Sequence, residues 1–275
     1  MCGRYSASRK PEDLVETFGV TRWDPTEAID ADWNVAPTKP VYAVLDRPDK
    51  HAESNEPVRQ LRVLRWGLVP SWAKNPQGAA KMINARAETV HEKPSYRRPF
   101  VARRCLLPAD GYFEWVTGQD ERRLEEEGRR KRPRKQPYFV TPADGSVMAM
   151  AGLYEFWRDR TLPEDHPGAW WATCTVITTE AETAPLASGA AEQEGDGPAS
   201  LSDIHPRMPL MLTPDRWDDW LNPAHTDPDE LRDLLTPPPA GSVRAYPVAT
   251  SVSDVRNNGA DLLAPLPAPE EATLF

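Results

Sequence analysis

Arg103-Arg104-Cys105-Leu106-Leu107-Pro108-Ala109-Asp110-Gly111-Tyr112-Phe113-Glu114-Trp115 reads as an apolar strand, a turn, and then a carboxylate set between two aromatics. Segments on either side carry the same sheet signal. Val41 to Leu45 and Leu61 to Trp66 alternate like strands across a polar Asp46 to Gln60 loop. Phe100 to Leu107, Tyr138 to Thr141, Val147 to Leu153, Trp171 to Thr178 and Val243 to Val248 are further strand candidates. Helices are few and short. Pro11 to Gly19 starts with proline and acids and ends at glycine, as a short amphipathic helix does. Thr213-Pro214-Asp215 caps a helix with Trp217, Trp220 and Leu221 on one face, and Asp227 to Glu230 starts another carrying Leu231, Leu234 and Leu235.

The 30 prolines also favour sheet with long connections over a helical bundle. The expected fold is α+β: a single domain with a curved, barrel-like, mainly antiparallel sheet, flanked by short helices and long loops. It spans residues 1–264, with a charged insertion at 117–136, a flexible Ala/Gly/Glu-rich insertion at 182–200 and a Pro/Ala-rich tail at 265–275.

At 275 residues the chain can bury a substantial core. It has no bilayer-length apolar run and no signal-like apolar region at its start, so a cytoplasmic protein is expected. Cys2, Cys105 and Cys174 are odd in number and far apart, which offers neither a disulfide framework nor a metal knuckle. No cofactor is called for, and no spacing supports a metal site from these cysteines with His205. Cys105 and Cys174 read as inert core thiols. The net charge of −9 argues against indiscriminate nucleic-acid binding. Residues 65–104, however, hold nine basic residues against two acidic, a local +7 that leaves −16 on the remainder. A basic segment in an acidic protein suggests one directed anion site.

Met1-Cys2-Gly3-Arg4-Tyr5 opens the chain. The small side chain of Cys2 permits removal of Met1, and Cys2 then carries two nucleophiles on adjacent carbons. An α-amine of reference pKa about 7.7–8.0 sits beside a thiol of about 8.5. A 1,2-aminothiol condenses with an aldehyde: the amine forms an imine and the thiol closes a thiazolidine, helped by the high effective concentration of an intramolecular step. Other segments are dense in functional side chains. Trp33-Asn34-Val35-Ala36-Pro37-Thr38 and Trp66-Gly67-Leu68-Val69-Pro70-Ser71-Trp72 place aromatics, prolines and an amide in irregular backbone. Asn84-Ala85-Arg86-Ala87-Glu88 alternates so that its polar residues share one face of a strand. Ile204-His205-Pro206-Arg207-Met208-Pro209 holds a histidine in a proline-framed loop.

With these motifs in this order, the chain resembles the SRAP family, the SOS response-associated peptidase-like proteins. The matching pieces are residues 1–5, 33–37, 66–72, 84–89, 109–115, 205–209 and 252–262. The resemblance implies a monomeric sensor of abasic sites in single-stranded DNA. It would become nucleoid-associated on binding and form a covalent DNA–protein crosslink that shields the lesion. It implies Cys2 as nucleophile, with Asn84, Glu114 and His205 as its catalytic surroundings. On the residues themselves, Glu114 between Phe113 and Trp115 would be a desolvated carboxylate suited to moving protons while the closed sugar opens. His205 titrates in a useful range, and Asn84 orients by hydrogen bonds. Arg4, Arg86 and the basic segment would take phosphates, with Asn34 in the same interface, and Trp66, Trp72 and Pro37 would offer surfaces to unpaired bases. Glu88 would hold Arg86 or the chain near the site. Two other functions use the same residues: an N-terminal-nucleophile cysteine peptidase, autoproteolytic in one form, and a non-covalent reader of modified or single-stranded DNA.

Overall fold

A computed structural model describes residues 2–48, 56–117, 135–186 and 198–267. The quoted motif folds as β6 (Arg104–Ala109), a turn at Asp110, and β7 (Gly111–Thr117), and the two strands belong to different sheets. Five strands pair in a ring: β3 (Pro40–Pro48), β4 (Pro57–Trp66), β6, β9 (Met148–Arg158) and β10 (Trp170–Glu180). The ring is antiparallel except where β10 runs parallel to β4, with Thr173 opposite Arg65. Two short strands flank β10, β5 (Asn84–Arg86) in parallel and β11 (Arg207–Pro209) antiparallel. The second sheet is antiparallel, in the order β12 (Val243–Pro247), β8 (Lys135–Pro142), β7, β1 (Tyr5–Ala7), β2 (Asp32–Val35). The barrel-like α+β fold is therefore as expected, built from two sheets instead of one.

The crossover is locked at Asp110. Its carboxylate accepts from Ser6 Oγ (2.6 Å) and Ser8 N (2.8 Å), and its own N–H donates to Ser6 O. Alternate residues of the ring, among them Ala43, Trp66, Leu107 and Cys174, cluster with Tyr5, Tyr112 and Val140 of the second sheet. The opposite residues, including Val44, Leu61, Leu106 and Ile177, pack under helices. These are α1 (Pro11–Phe18), α2 (Arg97–Ala102), α3 (Leu201–Ile204), α4 (Trp217–Leu221) and α5 (Pro228–Asp233), of which α1, α2, α4 and α5 contribute Leu14, Phe18, Phe100, Trp220 and Leu231 to that layer. Gly19 ends α1 at φ 62°, a left-handed cap that glycine adopts at no steric cost. No helix of the described residues is long and apolar enough to cross a membrane.

Two expectations need correction. The strand proposed from Phe100 begins at Arg104, because Phe100 to Ala102 form the last turn of α2. The polar loop proposed at Asp46 to Gln60 is shorter, since β3 runs on to Pro48 and β4 starts at Pro57. The charged insertion at 117–136 lies outside the described residues apart from its ends, Thr117 in β7 and Lys135 and Gln136 in β8. Most of the 182–200 insertion and of the 265–275 tail lies outside them too.

Arg104 is 3 % exposed and uses its guanidinium as a clamp. Nε donates to Trp220 O (2.6 Å), and Nη1 to Phe100 O (3.0 Å) and Val101 O (2.7 Å), while Nη2 reaches Asn222 O and His225 O. All but His225 O lie at the C-terminal ends of α2 and α4, where backbone acceptors have no intrahelical donor and negative potential favours a cation. Desolvation lowers the Arg104 pKa to about 10, which leaves it charged at neutral pH. Arg104→Met should cost about 3 kcal/mol or more of unfolding free energy, since hydrogen bonds to charged groups are worth about 1.5–3 kcal/mol and the carbonyls would be stranded. Urea denaturation of the variant against the parent checks this.

Candidate active site

β1 is three residues long and sits between β2 and β7, with Tyr5 opposite both Val35 and Tyr112. Phe113 N donates to Arg4 O at 2.9 Å, so sheet pairing continues to within two residues of Cys2. Cys2 is fully buried in the cluster that holds Tyr5, Tyr112 and Trp66. Its carbonyl accepts from Asn84 Nδ2 at 2.8 Å. That bond fixes which end of the amide faces Cys2. Asn84 Oδ1 is then a buried acceptor with no hydrogen-bond partner among the described residues. Asn84 reaches the site because β5 runs beside β10, with Asn84 opposite Val176.

Glu114 is 7 % exposed. Its burial has a different source from the one expected. Successive residues of a strand point to opposite faces, so Phe113 and Trp115 cannot enclose Glu114. They pack with Phe139, Val248, Val252 and Leu262 on the far side of the second sheet, where Trp115 Nε1 donates to Ser253 Oγ at 3.0 Å. Glu114 shares its face with Tyr112, toward Cys2. The Cys2 thiol pKa is raised, first by burial and then by the Glu114 charge. A thiol in that position is protonated at neutral pH, unlike the partly ionised group that its reference value implies. Cys105 and Cys174 are buried with raised thiol pKa values as well, as suits core residues.

His205 follows α3, whose Leu201 and Ile204 pack into the Cys2 cluster. Ser200 and Asp203 close a capping box that fixes the start of this turn. Arg207 N donates to His205 Nδ1 at 3.0 Å. Arg207 O lies 3.1 Å from the same Nδ1, so backbone groups of one residue hold the ring from that side. Of the two partners expected for Glu88, the chain near the site is the one it grips: its carboxylate takes the Arg207 guanidinium in a fork, at 2.6 and 3.0 Å. The segment after β5 is thereby tied to the histidine loop. Arg207 and Tyr112 are neighbours of these groups that sequence reasoning passed over. Only Tyr112 had a usable signal, its spacing of two from Glu114.

The expected DNA contacts divide sharply. Trp66 is fully buried, donates from Nε1 to Ile83 O at 3.0 Å and packs edge-on against Tyr5, with ring centroids 4.9 Å apart. It is core, not a stacking surface. Asn34 is buried too, and its Nδ2 lies 2.9–3.2 Å from the carbonyls of Val252, Asp254 and Asn257. Its Oδ1 accepts from Arg4 Nη1 at 2.7 Å, and Arg4 also reaches Val252 O and lies over the Trp115 ring. Asn34 and Arg4 thus fasten the C-terminal segment to β1 and β2. Trp72 is 66 % exposed, Arg86 is exposed and Pro37 is half-buried. Of the basic segment, Arg103 pairs with Glu155 at 2.6 Å and Arg104 clamps helices, while Lys74, Lys81, Lys93, Arg97 and Arg98 are exposed.

The family description of SOS response associated peptidases (SRAP) matches residues 1–255 of this chain. The chain belongs to the SRAP family. It is 36% identical over 263 residues to the abasic site processing protein YoaM of Bacillus subtilis, covering 96% of this chain and 97% of that one. It is 29% identical to the abasic site processing protein YedK of Escherichia coli, covering 97% of this chain and all of the relative. A crystal structure of a Bacteroides thetaiotaomicron protein superposes with a TM-score of 0.72 at 25% identity, over 96% of this SRAP chain and 100% of that one.

The two tryptophans of the 66–72 motif should therefore separate cleanly. Trp66→Ala should cost about 3–5 kcal/mol, as large core truncations do. Trp72→Ala should change stability by less than about 0.5 kcal/mol. Denaturant midpoints of the two variants decide this.

Proposed function

We propose that this chain processes abasic sites in single-stranded DNA by covalent capture through Cys2 after Met1 has been removed. The observation that carries the reading is the placement of Cys2, with its carbonyl held by Asn84 and its buried thiol beside Glu114. The relatives' shared name, abasic site processing protein, supports the substrate.

The electrostatics favour an order of events. A buried, protonated thiol is a poor first nucleophile, so the α-amine attacks the sugar aldehyde first. The carbinolamine loses its oxygen as water, which leaves an imine. Cys2 Sγ then adds to the imine carbon, and the thiol proton passes to the imine nitrogen by way of the Glu114 carboxylate. One water leaves in total, and a thiazolidine remains. Before capture, the closed sugar must open. Glu114 and His205 are the groups that move protons there, and Asn84 Oδ1 accepts from an amine or sugar hydroxyl donor.

The same burial weighs against a peptidase. Thiol proteases depend on a lowered cysteine pKa, and this one is raised. A non-covalent reader would need no proton-moving group beside the thiol.

Denaturing gels with an abasic oligonucleotide test the reading. The parent should give a slow-migrating adduct, and Cys2→Ala and Cys2→Ser should give none, since a serine hydroxyl makes no stable thiazolidine. Glu114→Gln should slow adduct formation by roughly a hundredfold, within the range of lost acid–base catalysis. The rate should climb with pH as the amine loses its proton, near its reference pKa of about 7.7–8.0. Unimpaired adduct formation by Cys2→Ala would remove the proposal.

A further inference from the structure

We propose that Tyr96 is a positioning residue for this reaction, its phenol hydroxyl setting Asn84 against Cys2. The inference rests on the covalent-capture reading and extends it to a residue outside the four catalytic candidates.

The argument begins with β5. This strand is only three residues long and, among the described residues, pairs with β10 alone. In the parallel ladder, Ile83 O accepts from Val176 N at 2.9 Å. Backbone groups of successive residues point to opposite sides of a strand, so the Asn84 carbonyl faces away from β10. No strand among the described residues lies there to satisfy it. Tyr96 Oη donates to that carbonyl at 3.2 Å and fills the place of a missing neighbour. Asn84 is thereby held on both flanks, by β10 and by a phenol. Its Cα–Cβ direction, and with it the 2.8 Å bond from Nδ2 to Cys2 O, follows.

Tyr96 is itself well anchored. Its N–H donates to Lys93 O at 2.9 Å, and its carbonyl accepts from Phe100 N at 2.7 Å in the first turn of α2. The far end of α2 is held by the Arg104 guanidinium. A path of direct contacts thus runs from Arg104 through α2 and Tyr96 to Asn84 and Cys2. Burial raises the phenol pKa, so the donated proton stays in place across the working range.

Tyr96→Phe deletes one oxygen and keeps the ring. Tyr42→Phe is a matched control, since Tyr42 Oη makes two bonds to the Ile29 backbone, at 2.9 and 3.3 Å, and has no part in the site. The measurements are the single-turnover crosslinking rate at saturating abasic oligonucleotide, the Kd for the same oligonucleotide with the abasic residue reduced, and the thermal midpoint. Tyr96→Phe should lower the rate roughly three- to tenfold, the worth of one hydrogen bond, with Kd unchanged and a midpoint close to that of Tyr42→Phe. Tyr42→Phe should keep the parent rate. A parent-like rate for Tyr96→Phe, or an equal loss of rate in Tyr42→Phe, overturns the positioning role and leaves covalent capture standing. Absence of any adduct from the parent overturns the reading beneath it.

Discussion

A three-residue strand at the start of the chain, inserted between β2 and β7, makes the N-terminus part of the hydrophobic core. Chain ends normally fray, because few contacts offset the entropy of ordering them. Here the cost is met by two ladders, by the Tyr5 ring against Trp66, and by the Asn84 amide on the Cys2 carbonyl. In the proposed capture, an amine and thiol carried on such a strand would inherit the rigidity of the sheet. For a ring closure whose advantage is effective concentration, that rigidity is the useful property.

The same burial sets the chemistry. Removing Cys2 from water and facing it with Glu114 holds the sulfur as a thiol. In the proposed capture, a sulfur held this way stays inert until an electrophile arrives and the amine has made the first bond. Glu114 reaches the site by strand alternation alone, with Tyr112 on its face and Phe113 and Trp115 on the other. Those two aromatics serve a different purpose. They anchor the Val248 to Leu262 segment, which Asn34 grips through three carbonyls. One strand thus supplies a reactive face and a structural one.

The long alternating segments were legible in the sequence, and they became β3, β4, β8, β9, β10 and β12. The proline-led start and glycine stop of α1 and the Asp227 cap of α5, which accepts from Asp229 N and Glu230 N, were equally readable. β1, β2 and β11 were not identified as strands, because three or four residues carry no period, and β5 showed only as the alternation from Asn84 to Glu88; their pairing is tertiary. The four catalytic candidates came from motif resemblance, and the structure places Asn84 and Glu114 about Cys2 from separate strands. The DNA contacts were harder to read, since tryptophan and arginine serve core and surface equally well. Trp66 and Trp72 have the same side chain six positions apart, yet one is buried beneath Tyr5 and the other stands in solvent. Arg104 looked like part of an anion site and instead binds helix carbonyls, a role that depends on where α2 and α4 end.

The most direct test of the account is intact and peptide mass spectrometry of the protein after incubation with an abasic oligonucleotide. The predicted result is a chain lacking Met1, with a mass increased by the oligonucleotide less one water, and the adduct confined to the peptide that begins at Cys2. An adduct on a chain that still carries Met1, or on any other residue, would contradict it.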